Sequence, residues 1–175
     1  LTVTGDFAAG NFKFGGANFS NSLLIGHSTT GTLDAATANI GIGNNALDAL
    51  TSADSNVAIG SYAGSDITTS SSNTIVGADA GRFISTSSGS NTLIGNTTSY
   101  YNATGTYNTT LGTQALKGAS GQNNSYNTAI GGQALKAVTT GDYNIGMGYT
   151  SGDNITSGSG NVVIGKADVS SATGD

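Results

Sequence analysis

The sequence predicts an all-β fold, a parallel β-solenoid of about nine 17-residue coils, and three observations carry that expectation. A five-residue phrase, Asn-x-x-aliphatic-Gly, returns along nearly the whole chain, and its closing glycines are Gly26, Gly43, Gly60, Gly77, Gly95, Gly112, Gly131, Gly148 and Gly165. The intervals between them are 17, 17, 17, 18, 17, 19, 17 and 17 residues. The apolar segments inside each repeat are short, β-branched and bounded by Gly, Ser, Asn and Thr, with no 3.6-residue periodicity to suggest a helix.

Within each phrase the local structure follows from residue type. The opening position is Asn39, Asn56, Asn73, Asn91, Asn108, Asn127, Asn144 and Asn161, with Ser22 in the first copy. Asn repeated at one corner predicts a stacked amide ladder, and repeated Gly supplies backbone conformations that other residues resist. The three residues between Asn and Gly form a short strand, and each strand pairs with its equivalent about 4.8 Å above and below. Seventeen residues suit one such coil and are too few for a helix pair or a propeller blade.

Side chains alternate across a strand, so two faces must be assigned. The residue before each Gly is aliphatic or Met in every copy, which predicts a core ladder of Ile25, Ile42, Ile59, Val76, Ile94, Leu111, Ile130, Met147 and Ile164. The middle strand position then points away from the coil's own core. There it holds Leu24, Ala58, Ile75, Leu93, Ala129 and Val163, an apolar row that predicts a subunit interface, since an uncovered row of this kind invites aggregation. A homotrimer packed around a fibre axis would cover it.

Flanking the repeat domain at 21–168, residues 1–20 hold four of the five Phe (Phe7, Phe12, Phe14 and Phe19) and read as an N-terminal cap or junction. Residues 169–175 read as the start of a further coil or a C-terminal tail. Leu1, without a preceding Met, suggests a processed chain or a fragment.

Composition narrows the function classes. Charged residues make up 9% of the 175, and Pro, Cys, Trp and Glu are absent. Without Cys there are no disulfides or thiolate ligands. The net charge of -5 comes from ten Asp against four Lys and one Arg, with no basic run along the chain, which disfavours nucleic acid as a partner. No apolar stretch approaches the roughly 20 residues of a membrane span.

Candidate chemistry is sparse. His27 is the only histidine, and no acid or nucleophile lies at a recognisable spacing from it, so an exposed coil residue is the expectation and no catalytic residue is assigned. Neither the glycine-rich calcium repeat nor a phosphate-binding glycine loop appears, so no metal or cofactor is expected. Six Asn-x-Ser/Thr sequons are close to chance in a chain so rich in these residues. Tyr107, Tyr126 and Tyr143 precede the repeat Asn in successive coils and should stack, with Tyr100 and Tyr101 nearby. Packing explains such a ladder, and a glycan-contacting stripe is the sharper alternative.

The phrases Asn56-Val-Ala-Ile-Gly, Asn127-Thr-Ala-Ile-Gly-Gly-Gln-Ala-Leu and Asn161-Val-Val-Ile-Gly resemble the head repeats of trimeric autotransporter adhesins. The copies ending Asn108-Thr-Thr-Leu-Gly-Thr-Gln-Ala-Leu, with the Thr139 to Asn144 linker Thr-Thr-Gly-Asp-Tyr-Asn, resemble phage tail-fibre repeats more closely. The resemblance spans about residues 20–168. It implies a left-handed β-roll in each of three chains, a structural, non-enzymatic role in the virion's tail fibre, and contact with a host receptor or glycan without membrane insertion. A bacterial surface adhesin is the alternative within this class. An ice-binding solenoid is the alternative outside it, because Thr74, Thr92, Thr109 and Thr128 repeat in step, although the face assignment above turns them inward.

Overall fold

The computed structural model describes residues 12–16, 18–26, 33–121 and 123–165. His27, Phe7 and the segment 169–175 lie outside the described residues. The architecture is a parallel β-solenoid of about eight turns, with no helix among the described residues.

The eleven strands are β1 (Phe12–Gly16), β2 (Phe19–Ile25), β3 (Ala36–Thr37), β4 (Ile40–Ile42), β5 (Val57–Ile59), β6 (Thr74–Val76), β7 (Thr92–Ile94), β8 (Thr109–Leu111), β9 (Thr128–Ile130), β10 (Ile145–Met147) and β11 (Val162–Ile164). From β4 on, each three-residue strand of the main stack sits between the Asn and Gly of one phrase. The sheet runs β1-β2-β4-β5-β6-β7-β8-β9-β10-β11, with β3 paired to β2. All pairs are parallel except β1 with β2, where Phe12 faces Ile25 and a reversed strand ends the stack.

Like positions stack on like. Ile40, Gly41 and Ile42 face Val57, Ala58 and Ile59, which face Thr74, Ile75 and Val76. The longer intervals leave this register intact, since Thr74 still faces Thr92 and Thr109 still faces Thr128. The additional residues are therefore accommodated in the turns.

The face assignment expected from the sequence is inverted. None of the proposed core ladder (Ile25, Ile42, Ile59, Val76, Ile94, Leu111, Ile130, Met147 and Ile164) is buried, whereas Leu24, Ala58, Ile75, Leu93, Ala129 and Val163, the supposed interface, form part of the coil's own core. Leu93 is 0% exposed and its neighbour Ile94 is 38% exposed. Burial alternates along each strand, and the interior belongs to the face that carries Asn.

Two features of the interior explain why. Each repeat Asn from Asn39 to Asn144 is buried and hydrogen-bonded: Oδ1 of Asn39 accepts the backbone N–H and the Nδ2 of Asn56, both at 3.1 Å, while Asn39 Nδ2 donates to the Ala53 carbonyl at 2.8 Å. A buried amide is tolerated only when satisfied in this way. The second feature is the sharing of interior space between the middle strand position and later residues of the same turn. Small Gly41 and Ala129 are followed by buried Leu47 and Leu135, small Ala58 and Gly146 by buried Ile67 and Ile155, and large Ile75 by Gly81. A Cβ on Gly41 would lie 2.5 Å from Leu24 Cδ2, so neighbouring coils already fill the space that glycine leaves.

The closing glycines stack backbone on backbone. Gly60 has φ +134°, and a Cβ there would sit 2.5 Å from the Gly77 carbonyl oxygen. Both the conformation and the close approach require glycine.

Candidate functional site

Three surface features follow from this frame. The first is the outer face of the sheet. Over β4–β11 the outward positions are Ile40, Val57, Thr74, Thr92, Thr109, Thr128, Ile145 and Val162 in one row, and Ile42, Ile59, Val76, Ile94, Leu111, Ile130, Met147 and Ile164 in the other. All are exposed or half-buried, none is charged, and twelve of the sixteen are aliphatic or Met. The four threonines point outward here, which reverses the inward placement expected from the sequence.

The second is the tyrosine ladder. Tyr107 and Tyr126 stack with ring centroids 5.2 Å apart and planes 9° from parallel, and Tyr126 and Tyr143 stack at 4.7 Å and 2°. Each occupies the residue before the buried Asn, and there φ is +57°, +59° and +59°. Other coils place Ala38, Ser55, Ser72, Ser90 or Gly160 at this left-handed position. A bulky residue with positive φ is an outlier that costs about 1–2 kcal/mol. The rings nonetheless remain 57%, 44% and 61% exposed, so burial does not offset that cost.

The third was not expected. Tyr100 and Tyr101 do not extend the ladder; they belong to a row five and six residues past the closing Gly, with Arg82, Phe83, Lys117 and Lys136. Backbone bonds tie this row together: the N–H groups of Phe83, Tyr101 and Gly118 donate to the carbonyls of Tyr100, Lys117 and Lys136 at 3.2, 3.1 and 3.1 Å. Phe83 and Tyr101 stack at 5.6 Å with Tyr100 edge-on between them. Arg82 packs over the Tyr62 ring at 4.4 Å and pairs with Asp79 at 2.9 Å. Its guanidinium is held above the usual pKa, with burial working against the Asp79 hydrogen bond and the nearby Asp79, Tyr100 and Tyr62. Every cation whose side chain is described thus lies on one row, which also carries Asp48, Asp66 and Asp153, an arrangement invisible when charges are counted along the chain.

Among the described residues no three of His, Cys, Asp and Glu gather within reach of a metal ion, and no helix is long and apolar enough to cross a membrane. Comparison with protein-family models, with curated proteins and with solved structures returns no match.

Proposed function

We propose that the chain is a rigid, non-enzymatic module of a homotrimeric fibre, a shaft or receptor-contacting segment of a viral tail fibre displayed outside the cell, with a bacterial surface adhesin as the related alternative. The observation that carries this reading is the uncharged outer sheet face. Its two rows repeat at the coil pitch, about 4.8 Å, and the surface that matches such a spacing over eight strands is another solenoid of the same pitch. A second copy meets no charge repulsion there despite the net charge of -5. Three flat faces close around a threefold axis and leave no face uncovered, which an open apolar surface of this size favours. The resemblance of the repeats to tail-fibre and adhesin repeats supports the same assignment.

The test is the absolute mass of the chain in solution by light scattering. A trimer that Ile94→Asp converts to monomer supports the proposal; a stable wild-type monomer sinks it. Outward Thr74, Thr92, Thr109 and Thr128 on a regular sheet favour ice binding as a second reading, and thermal hysteresis in the wild-type chain would select it. Four hydroxyls among sixteen positions make the face more apolar than hydroxylated, which favours association.

A further inference from the structure

We infer that the row centred on Tyr101, Lys117 and Lys136 is a binding site for carboxylated saccharides. The observations are independent of the fibre assembly, because the site is complete within one chain and lies nearly half a coil from the outer sheet face along the backbone.

A groove of about 610 Å³ opens at this row, lined by Tyr101, Lys117, Ser120, Gln133, Lys136 and Asp153 among others. That volume is in the range of small-ligand sites. Lys117 and Lys136 occupy equivalent positions of adjacent coils, Asp153 occupies that position in the next coil, and neither lysine has a carboxylate within ion-pair distance among the described residues. Two like charges stacked one coil apart repel, and an anion lying between them relieves the repulsion.

Residues 80–141 contain Arg82, Lys117 and Lys136 and no acid, and are bounded by Asp79, Asp142 and Asp153, in a chain whose net charge is -5. Arg82 is already paired with Asp79, whereas the two lysines have no ion-pair partner among the described residues, Lys117 lying over the Tyr100 and Tyr101 rings at 6.0 and 5.9 Å.

The wall of the groove is a departure from the repeat. The coil from Gly112 to Gly131 is two residues longer than the standard 17, and Gly118, Ala119 and Ser120 in its lengthened turn line the groove. Insertions in repeat proteins collect on the binding face.

The chemistry of the lining selects the ligand. The Tyr101 ring, contacted by Phe83 at 5.6 Å and by Lys117 Nζ at 5.9 Å, offers its remaining apolar surface to a sugar ring, and Gln133 and Ser120 offer hydrogen bonds to hydroxyls. Two lysines match sparse carboxylates, whereas Asp153 in the same lining opposes a densely charged phosphate polymer.

Titration calorimetry of the intact chain with an oligosaccharide of galacturonic acid, a neutral glucose oligosaccharide of equal length, and inorganic phosphate tests the assignment. The carboxylated oligosaccharide should bind, with affinity falling as salt rises, and the other two should not. Lys117→Gln with Lys136→Gln should weaken binding by about tenfold or more, Lys117→Arg with Lys136→Arg should retain it, and Tyr101→Ala should weaken it at constant salt dependence. Unchanged thermal melting certifies that the variants fold. Absence of binding, equal binding by the double Gln variant, or equally tight binding of phosphate alone overturns the proposal, whatever the mass measurement says about assembly.

Discussion

Oδ1 of Asn56 accepts two hydrogen bonds from Asn73, from its backbone N–H and from its Nδ2, both at 3.0 Å. Asn73 repeats the arrangement toward Asn91 at 3.2 and 3.0 Å, so each amide is acceptor to one neighbour and donor to the other. Asn73→Ala therefore orphans the buried backbone N–H of Asn91, while Asn91 Nδ2 keeps the Ser88 hydroxyl at 3.2 Å and the Gly105 carbonyl at 3.0 Å. At about 1–3 kcal/mol for one unsatisfied buried group, the variant should show a clear drop in the urea midpoint of unfolding.

The two faces of β7 should separate in a paired experiment. Leu93→Asp buries a charge with no partner and should abolish folding, seen as loss of the cooperative transition, whereas Leu93→Ala should cost about 2–5 kcal/mol through cavity formation. Ile94→Asp places its charge on the outer face and should melt close to wild type when dilute. If both Asp variants unfold the chain alike, the assignment of faces is wrong.

Glycine should be needed in some turns and dispensable in others. Gly60→Ala meets both a forbidden conformation and the Gly77 carbonyl, so it should destabilise by well over about 1 kcal/mol. Gly160 has φ +73° with nothing within 4 Å of a built Cβ, and Gly160→Ala should cost only about 1–2 kcal/mol for the left-handed conformation. Thermal melting of the two variants side by side gives the comparison.

For the tyrosine ladder, stacking and backbone strain act in opposite directions. Tyr126→Gly removes two stacked contacts worth about 0.5–1.5 kcal/mol each and relieves about 1–2 kcal/mol of left-handed strain, so stability should change little. A loss of cell or glycan adsorption at unchanged melting temperature would identify these rings as contact residues; unchanged adsorption would leave them as packing.

The repeat made the strands legible almost to the residue, because Asn-x-x-aliphatic-Gly marks both ends of each. The choice of interior was not legible from aliphatic content, since Ile25, Ile59 and Ile94 on one face are as apolar as Leu24, Ile75 and Leu93 on the other. The signal was present elsewhere. Gly41, Ala58, Ala129 and Gly146 share the middle position with large residues, as happens inside a narrow coil whose space is divided with Leu47, Leu50, Ile67, Leu116, Leu135 and Ile155 from the same turn. A solvent-facing position has no reason to alternate in volume. The row of cations is not legible in the sequence for a related reason: Arg82, Lys117 and Lys136 are far apart in the chain and align only when it is wrapped at 17, 18 or 19 residues per turn.

The stacked closing glycines make length a countable quantity in this molecule. Because Gly43 and Gly60 occupy equivalent places, removing residues 44–60 would bring Gly43 into the place of Gly60, with the same neighbour above it. The stack would shorten by a single increment of about 4.8 Å. Evolution or design can thus set the molecule's reach in whole steps, with each added coil bringing its own amide, its own core residues and its own stretch of outer surface.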